Sequence, residues 1–433
     1  MPTARIASAR PALISAALGA VLVALAMTIP RVGNDNVHVH WPPLHADWMP
    51  RFGPMSILAF AVGIALWIGF PPLARRLSWP RLMVATYAAT WAWIMALAYV
   101  DGPDGLSRVF DRSGEYVYDA QRVTSIPHML STYVDRIPMN SVDHWHTHAA
   151  GHPPGALLCF VLLDRLGITS HLWIGIITVS IGATAVMAVV LALCALGGEH
   201  LAQRAAPWLV LAPTAIWMGV SGDALFTAVG AWGLCFLVLS GTRHRPTYAV
   251  LGGMLLGLCV YLSYGLTLLA LPALAVIWLT KSWRVLPWAV AGALMVAALF
   301  TLAGFSWWDA YPVLVTRYYD GIASQRAYGY WVWADIAAWT FTVGLATWAA
   351  FPSIPAAIRR RDPLAVLALA ALTAIVIATL SGMSKAEVER IWLPFTLWIV
   401  VLPALLPRTW HRPLLLSQVI LALVIQSLVL TRW

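Results

Sequence analysis

The chain has 433 residues, of which 61% are hydrophobic and only 10% charged. That is too little charge to solvate the surface of a soluble domain this long, so the expected class is an all-α, polytopic bundle of membrane helices. The formal charge of +9 comes from Lys and Arg at the ends of apolar segments, which is the positive-inside pattern and explains the basicity without nucleic acid as a partner.

Apolar segments of about 20 residues recur from end to end. The first, Pro11 to Pro30, follows Arg5 and Arg10 and is long for a signal-peptide core, so it is expected as an uncleaved helix with a cytoplasmic N-terminus. The loop Arg31 to Gly53 carries His38, His40, Trp41 and His45. A second segment, Pro54 to Pro72, ends on Arg75, Arg76 and Arg81, and a third, Leu82 to Val100, returns to the outside. The loop that follows, Asp101 to His152, is too long and polar to lie in lipid. Within it, Tyr116 to Val134 sets Val117, Ala120, Val123 and Ile126 against Asp119, Arg122 and Ser125, as a helix on the membrane surface would. Pro153-Pro154-Gly155 marks a helix start.

Gly155 to Leu163 is short for a core about 30 Å thick. It is expected either to re-enter or to dip and continue into Ile168–Leu196, which leaves the parity open there. Trp208 to Ser240 reads as a hairpin whose tip, Ser221-Gly222-Asp223, faces outward because Arg204, Arg243 and Arg245 hold its feet in the cytoplasm. Segments at Tyr248–Leu262 and Leu266–Thr280 then meet at Ser263-Tyr264-Gly265 outside. Leu286–Leu302 leads out to an aromatic loop, Ser306–Tyr330, and Trp331–Pro352 returns to Arg359-Arg360-Arg361. Leu364–Leu380, Leu393–Leu406 and Leu414–Leu430 complete thirteen or fourteen membrane segments. The expected organisation is one integral-membrane domain, 1–433, with N-terminal helices in 1–81 and a core in 82–433 that includes the loop 101–152. This alternation gathers the polar loop, Asp223, Tyr264 and Ser381–Arg390 on the outer face, as one extracytoplasmic site at headgroup depth would require.

Several constellations could carry chemistry there. Asp111, Glu115 and Asp119 recur at i, i+4 and i+8; on one helix face they form a general base or a metal site, or a solvated face balanced by Arg108, Arg112 and Arg122. His144, His146, His148 and His152 invite a zinc reading, but without HExxH or a cysteine partner a single positioned histidine, His152 before two prolines, fits better. Glu387, Glu389 and Arg390, with Lys385, stand at the mouth of an apolar segment and suit either topological anchoring or the binding of phosphate and hydroxyl groups. Trp307, Trp308, Tyr311, Tyr318 and Tyr319 suit an interfacial belt or a surface for sugar rings. Cys159, Cys194, Cys235 and Cys259 lie in apolar segments and read as small core residues.

Taken together, GEYVYDA (Gly114–Ala120), GHPPGALL (Gly151–Leu158), the Ser221–Asp223 tip and Glu387–Arg390 resemble the GT-C class of integral-membrane glycosyltransferases, which includes protein mannosyltransferases and aminoarabinose transferases. The resemblance covers about Leu82 to the C-terminus; the Ala- and Arg-rich composition is suggestive of an actinobacterial source. Two helices precede the loop-bearing one, where the class places this loop after the first helix, and the usual Asp-Glu pair is absent. The base is therefore open between Glu115, Asp111 and Asp119, with Glu115 first because Tyr116 follows it. The resemblance implies a polyprenyl-phosphate-linked sugar as donor, its tail between helices of a bundle set in membrane lipids, its phosphate on Arg390 and Lys385, and an envelope glycan, lipid or protein as acceptor. His152, Asp223, Tyr264, Glu387 and Glu389 would complete the binding set. No metal ligand set follows from it, and a divalent cation stays an open option. The alternative is a transporter or flippase of a lipid-linked envelope precursor, which would string polar groups through the membrane instead of collecting them at one end.

Overall fold

A computed structural model describes residues 9–33 and 35–431, so Arg5 lies outside the described residues. Among the described residues the chain is a bundle of helices with two three-residue strands. In order these are α1 (Ala9–Gly33), β1 (Ala46–Trp48), α2 (Pro54–Arg76), α3 (Trp79–Ala98), α4 (Tyr116–Ala120), α5 (Ile126–Ser131), α6 (Thr147–Gly151), α7 (Pro154–Arg165), α8 (His171–Gly197), α9 (Glu199–Val210) and α10 (Ala215–Met218). Then come α11 (Gly222–Arg243), α12 (Pro246–Leu262), α13 (Ala270–Thr280), α14 (Val285–Leu302), α15 (Trp307–Asp320), α16 (Tyr328–Ala350), α17 (Ile354–Arg359) and α18 (Pro363–Ser381). The last are α19 (Val388–Ile391), α20 (Leu393–Thr396), α21 (Arg408–Leu428) and β2 (Val429–Thr431). Among the described residues, nine helical stretches are long and apolar enough to cross a membrane, and Pro246–Leu262 and Tyr264–Thr280 are shorter apolar helices.

Two further traverses are interrupted. α9 gives way at Leu211 to an irregular run that reaches Asp223, and the stretch expected as a helix over Leu393–Leu406 is α20, a set of turns and a 3-10 turn at Leu402–Leu405. Both runs are almost wholly buried. Non-helical backbone at membrane depth is tolerated where protein, not lipid, surrounds it. Prolines 213, 394 and 403 fall in these runs, where a missing amide and a fixed φ break a regular ladder.

α7 settles the parity left open by its length. Its first turn follows the polar loop, and at its far end Arg165 Nη2 donates to the Val123 and Thr124 carbonyls of the same loop, at 2.8 and 2.7 Å. At the start of α8, His171 Nδ1 lies 2.6 Å from Asp111 Oδ1. Both ends of α7 therefore stay on one face, called here the loop face. The opposite end, the arginine face, carries Arg75, Arg204, Arg243, Arg284, Arg359–Arg361 and Arg408. β2 pairs antiparallel with β1, returning the last described residues to the loop face.

The expected continuous helix over Tyr116–Val134 is two short ones, because Ser125 caps a new helix by accepting from the His128 amide and Pro127 follows in its first turn. Its apolar side is nevertheless buried, as the alternation required: Val117, Ala120, Val123, Met129 and Leu130 pack on the bundle. The longer surface helix is α15, with Trp308 and Tyr311 exposed. Close helix approach rests on glycine where it matters most: a Cβ on Gly253 of α12 would stand 1.9 Å from the Ala289 carbonyl of α14.

Candidate functional site

Glu115 caps α4 with extended backbone, and its own amide donates to the Arg112 carbonyl at 3.1 Å. Tyr116 holds α4 in place: its ring stacks on Phe160 of α7 at 5.1 Å and rests above Gly222, where a Cβ would come within 3.0 Å of it. The prolines at Pro153-Pro154 start α7, and α7 in turn carries the loop. Asp223 stands in the first turn of α11 just after Val220, a β-branched residue held at φ 75°. Arg390 lies in α19, preceded by Ala386 and Glu387 at φ 68° and 63°. Non-glycine residues held in the left-handed region mark backbone over-determined by its surroundings, and such strain clusters at functional sites.

These three segments converge. Arg390 Nη1 donates to Asp223 Oδ2 at 2.5 Å and Nη2 to Glu387 Oε2 at 2.7 Å. Glu387 Oε1 also meets Arg326 Nη1 at 3.8 Å. Glu115, only 5% exposed, lies within the field of this cluster, with His148 Nε2 3.3 Å from its Oε1. Burial pushes the Glu115 carboxyl up to about 7 against the opposing pull of Arg390, and Asp223 adds to the rise. Burial and Arg390 also hold His148 well below the ordinary imidazole range. Glu387 is the opposite case: burial works against its charge, yet Arg390, His45 and Arg326 hold its carboxyl down at about 2. Arg390, despite burial, is raised by Asp223, Glu387 and Glu115. Neighbouring carboxyls are thus held apart in their ionisation, one poised near neutrality and one firmly anionic, the pattern that separates acid–base from electrostatic roles.

His152 Nδ1 lies 2.9 Å from the His148 carbonyl, which can only accept, so in the neutral ring Nε2 is left as an acceptor. Burial lowers the His152 pKa, with Asp223 opposing. Glu389 is buried, its Oε2 has no hydrogen-bond partner, and burial pushes its carboxyl up to about 7. Lys385 Nζ donates to the Ala323 carbonyl at 2.9 Å and sits 5.2 Å from the Tyr319 ring centroid, so it belongs to the edge of the cluster. The Tyr264 hydroxyl is buried without a hydrogen-bond partner, its ring packed on Trp307 and Tyr311.

The other two candidate bases lie elsewhere, because Asp111, Glu115 and Asp119 do not share a helix face. Asp111 ends a 3-10 turn and is exposed, bound to His171. Asp119 is fully buried in α4, accepting from the His146 amide and lying against its Nδ1, both at 2.9 Å. It ties the two arms of the loop together. The histidines therefore serve different partners: His146 takes Asp119, His148 faces Glu115 and His144 lies near the Ser141 carbonyl. Among the described residues no group of three or more His, Cys, Asp or Glu could hold a metal ion, so the zinc and divalent-cation options find no donor set.

Sequence reasoning passed over Asp335 and Arg326. Asp335 of α16 accepts from the Ala386 amide at 2.9 Å, and Arg326 Nη1 donates to the Lys385 carbonyl at 2.8 Å. Together they fix the strained Lys385–Glu387 turn from below and from the side. The available signal for Asp335 was a lone carboxylate inside an apolar helix.

No protein-family model and no curated protein sequence matches the chain. Two solved structures are similar to it. One is the crystal structure of ArnT from Cupriavidus metallidurans in the apo state, with 16% identity and a TM-score of 0.46 over 77% of this chain and 61% of that one. The other is ArnT from the same organism bound to undecaprenyl phosphate, with 15% identity and a TM-score of 0.42 over 76% and 59%. The chain spans about three fifths of the length of those structures.

Proposed function

We propose that the protein is a membrane glycosyltransferase that moves a sugar from a polyprenyl-phosphate donor to a hydroxyl of an acceptor on the loop face. The carrying observation is the convergence of Glu115, Asp223, Glu387 and Arg390, from three distant parts of the chain, in one buried cluster. In this reading the acceptor O–H gives its proton to Glu115 as its oxygen attacks the anomeric carbon. The bond from that carbon to the phosphate oxygen breaks with inversion, and polyprenyl phosphate leaves as a monoester that needs cationic stabilisation rather than a proton. Arg390 is the stabilising cation. Asp223 fixes its orientation, and the partly exposed Glu387 edge is where a phosphate would approach. His148 orients the Glu115 carboxyl, and His152 and Lys385 border the site. The arginines that end the apolar segments at the other end of the bundle support, by the positive-inside rule, a loop face outside the cytoplasm.

The transporter alternative calls for a polar path through the bundle. Every buried charged side chain among the described residues (Glu115, Asp119, Asp223, Arg326, Asp335, Lys385, Glu389 and Arg390) lies toward the loop face, which favours an enzyme.

The test uses membranes containing the wild type, Glu115→Gln, Asp111→Asn or Arg390→Gln, supplied with radiolabelled polyprenyl-phosphate sugars. Glu115→Gln is expected to lose about 100-fold or more, as for removal of a general base, and Asp111→Asn to retain full transfer. Wild-type transfer by Glu115→Gln would remove it as the base. No transfer by wild type from any donor would turn the reading to the transporter.

A further inference from the structure

At the opposite end of the bundle from this cluster, a cavity of about 170 Å³ opens between the end of α2 and the beginnings of α9 and α21. Four arginines, Arg75, Arg204, Arg408 and Arg412, reach it together with His200 and His411, and no carboxylate is among its lining residues. So many cations around one hollow repel one another, and what usually offsets such repulsion is missing from the walls. Arg204 is the deepest. Its Nη2 donates to the Ala404 carbonyl, and its Nε is buried without a hydrogen-bond partner. Arg408 Nη2 lies 2.9 Å from His200 Nε2, which must accept, so that His200 ring is neutral while it faces Arg408. Two helices also begin here, α9 at Glu199 and α21 at Arg408, and helix N-termini favour anions. The remaining wall is apolar and aromatic. Trp67 carries the Arg412 guanidinium 5.2 Å from its centroid, and Trp208 and Pro71 face it. By contrast Arg359 and Arg360, on the same face of the bundle, are exposed and do not line this cavity.

We infer that this cavity is a second binding site, for a phosphate-class anion presented at the membrane surface. Guanidinium groups match phosphate oxygens with paired N–H donors, and a bound phosphate would add counter-charge where only Asp362, outside the lining, acts on Arg204. Basic pockets between helices at the membrane surface recognise anionic headgroups, and the apolar wall suits the part of a lipid next to its phosphate. The site is separate from the glycosyl-transfer reading and stands or falls without it.

Purified full-length protein in detergent would be titrated with phosphatidylglycerol, with phosphatidylcholine as the zwitterionic control, and with inorganic phosphate, and bound ligand counted by native mass spectrometry. Arg408→Gln/Arg412→Gln removes two exposed lining cations and is expected to weaken retention of the anion by about tenfold or more. Arg359→Gln/Arg360→Gln is expected to bind as the wild type does. Should the first variant fail to fold, Arg75→Gln alone, also exposed, is expected to weaken retention by about fivefold. Retention of phosphatidylglycerol alone assigns the site to a lipid headgroup, and competition by inorganic phosphate assigns it to the free anion. Equal retention of phosphatidylglycerol and phosphatidylcholine with no phosphate binding overturns the inference, as does equal loss in the Arg359/Arg360 control.

Discussion

Glu115 couples function to stability with opposite signs. Its carboxyl is raised to about 7 by burial, so in the folded protein ionisation is disfavoured relative to the unfolded chain. A group shifted this way costs stability as pH rises from its unfolded value toward the folded one. Glu115→Gln should therefore unfold at a higher temperature than wild type at pH 8, by up to about 3 kcal/mol of stability, with the gap closing below about pH 5. Thermal melts in detergent across that range check it. Activity needs the ionised base, so wild-type transfer should climb with pH through a midpoint near 7 and level off above it. Arg390 behaves differently, since its removal leaves Asp223 buried without its cation and Glu387 with only the weaker pull of Arg326 and His45. Arg390→Gln is expected to cost about 3–5 kcal/mol, and Asp223→Asn/Arg390→Gln together less than the sum of the two single changes. A double-mutant cycle on thermal stability measures that coupling.

Among the elements, α7 makes a close backbone contact beside the site. A Cβ on Gly155 would lie 2.5 Å from the Tyr261 carbonyl of α12, so this glycine sets how closely the HPPG helix seats against the bundle. Gly155→Ala should push α7 and the Tyr116 stack outward and lower transfer more than it lowers the amount of folded protein, read by comparing rate with detergent-extracted yield. Much of this level was legible in the sequence. Apolar runs and terminal arginines gave the alternation, and the Pro-Pro-Gly start of α7 was visible as a string. The interrupted traverses were not, because an apolar run such as Leu393–Leu406 has the same composition whether it is helical or broken. Nor could i, i+4 spacing assign the base. It presumes a helix, whereas the chain places Asp111 on a 3-10 turn, Glu115 at a cap and Asp119 inside α4.

Across the whole molecule, one buried ionic hub joins three outer segments. Asp101 bridges Arg51 at 2.6 Å and Arg108 at 2.9 Å, while Arg51 Nη2 donates to the Gln426 and Val429 carbonyls. With the β1–β2 pairing, this fastens the first loop, the polar loop and the end of α21 into one collar on the loop face. Asp101→Asn is expected to loosen that collar and to make the polar loop markedly easier to cleave by added protease, without changing the spans. Cations stand on both faces: on the loop face Arg51, Arg108 and Arg390 are paired with carboxylates, whereas Arg359 and Arg360 on the other face are exposed.

The Arg390–Asp223 contact joins residues 167 positions apart. A chain is made from its N-terminus and folds largely in that order. While α12 to α18 are being laid down, Asp223 and Glu115 must therefore wait, carboxyl beside carboxyl, for a cation that has not yet been synthesised. The site is a late assembly, closed only when one of the last segments swings its arginine into place.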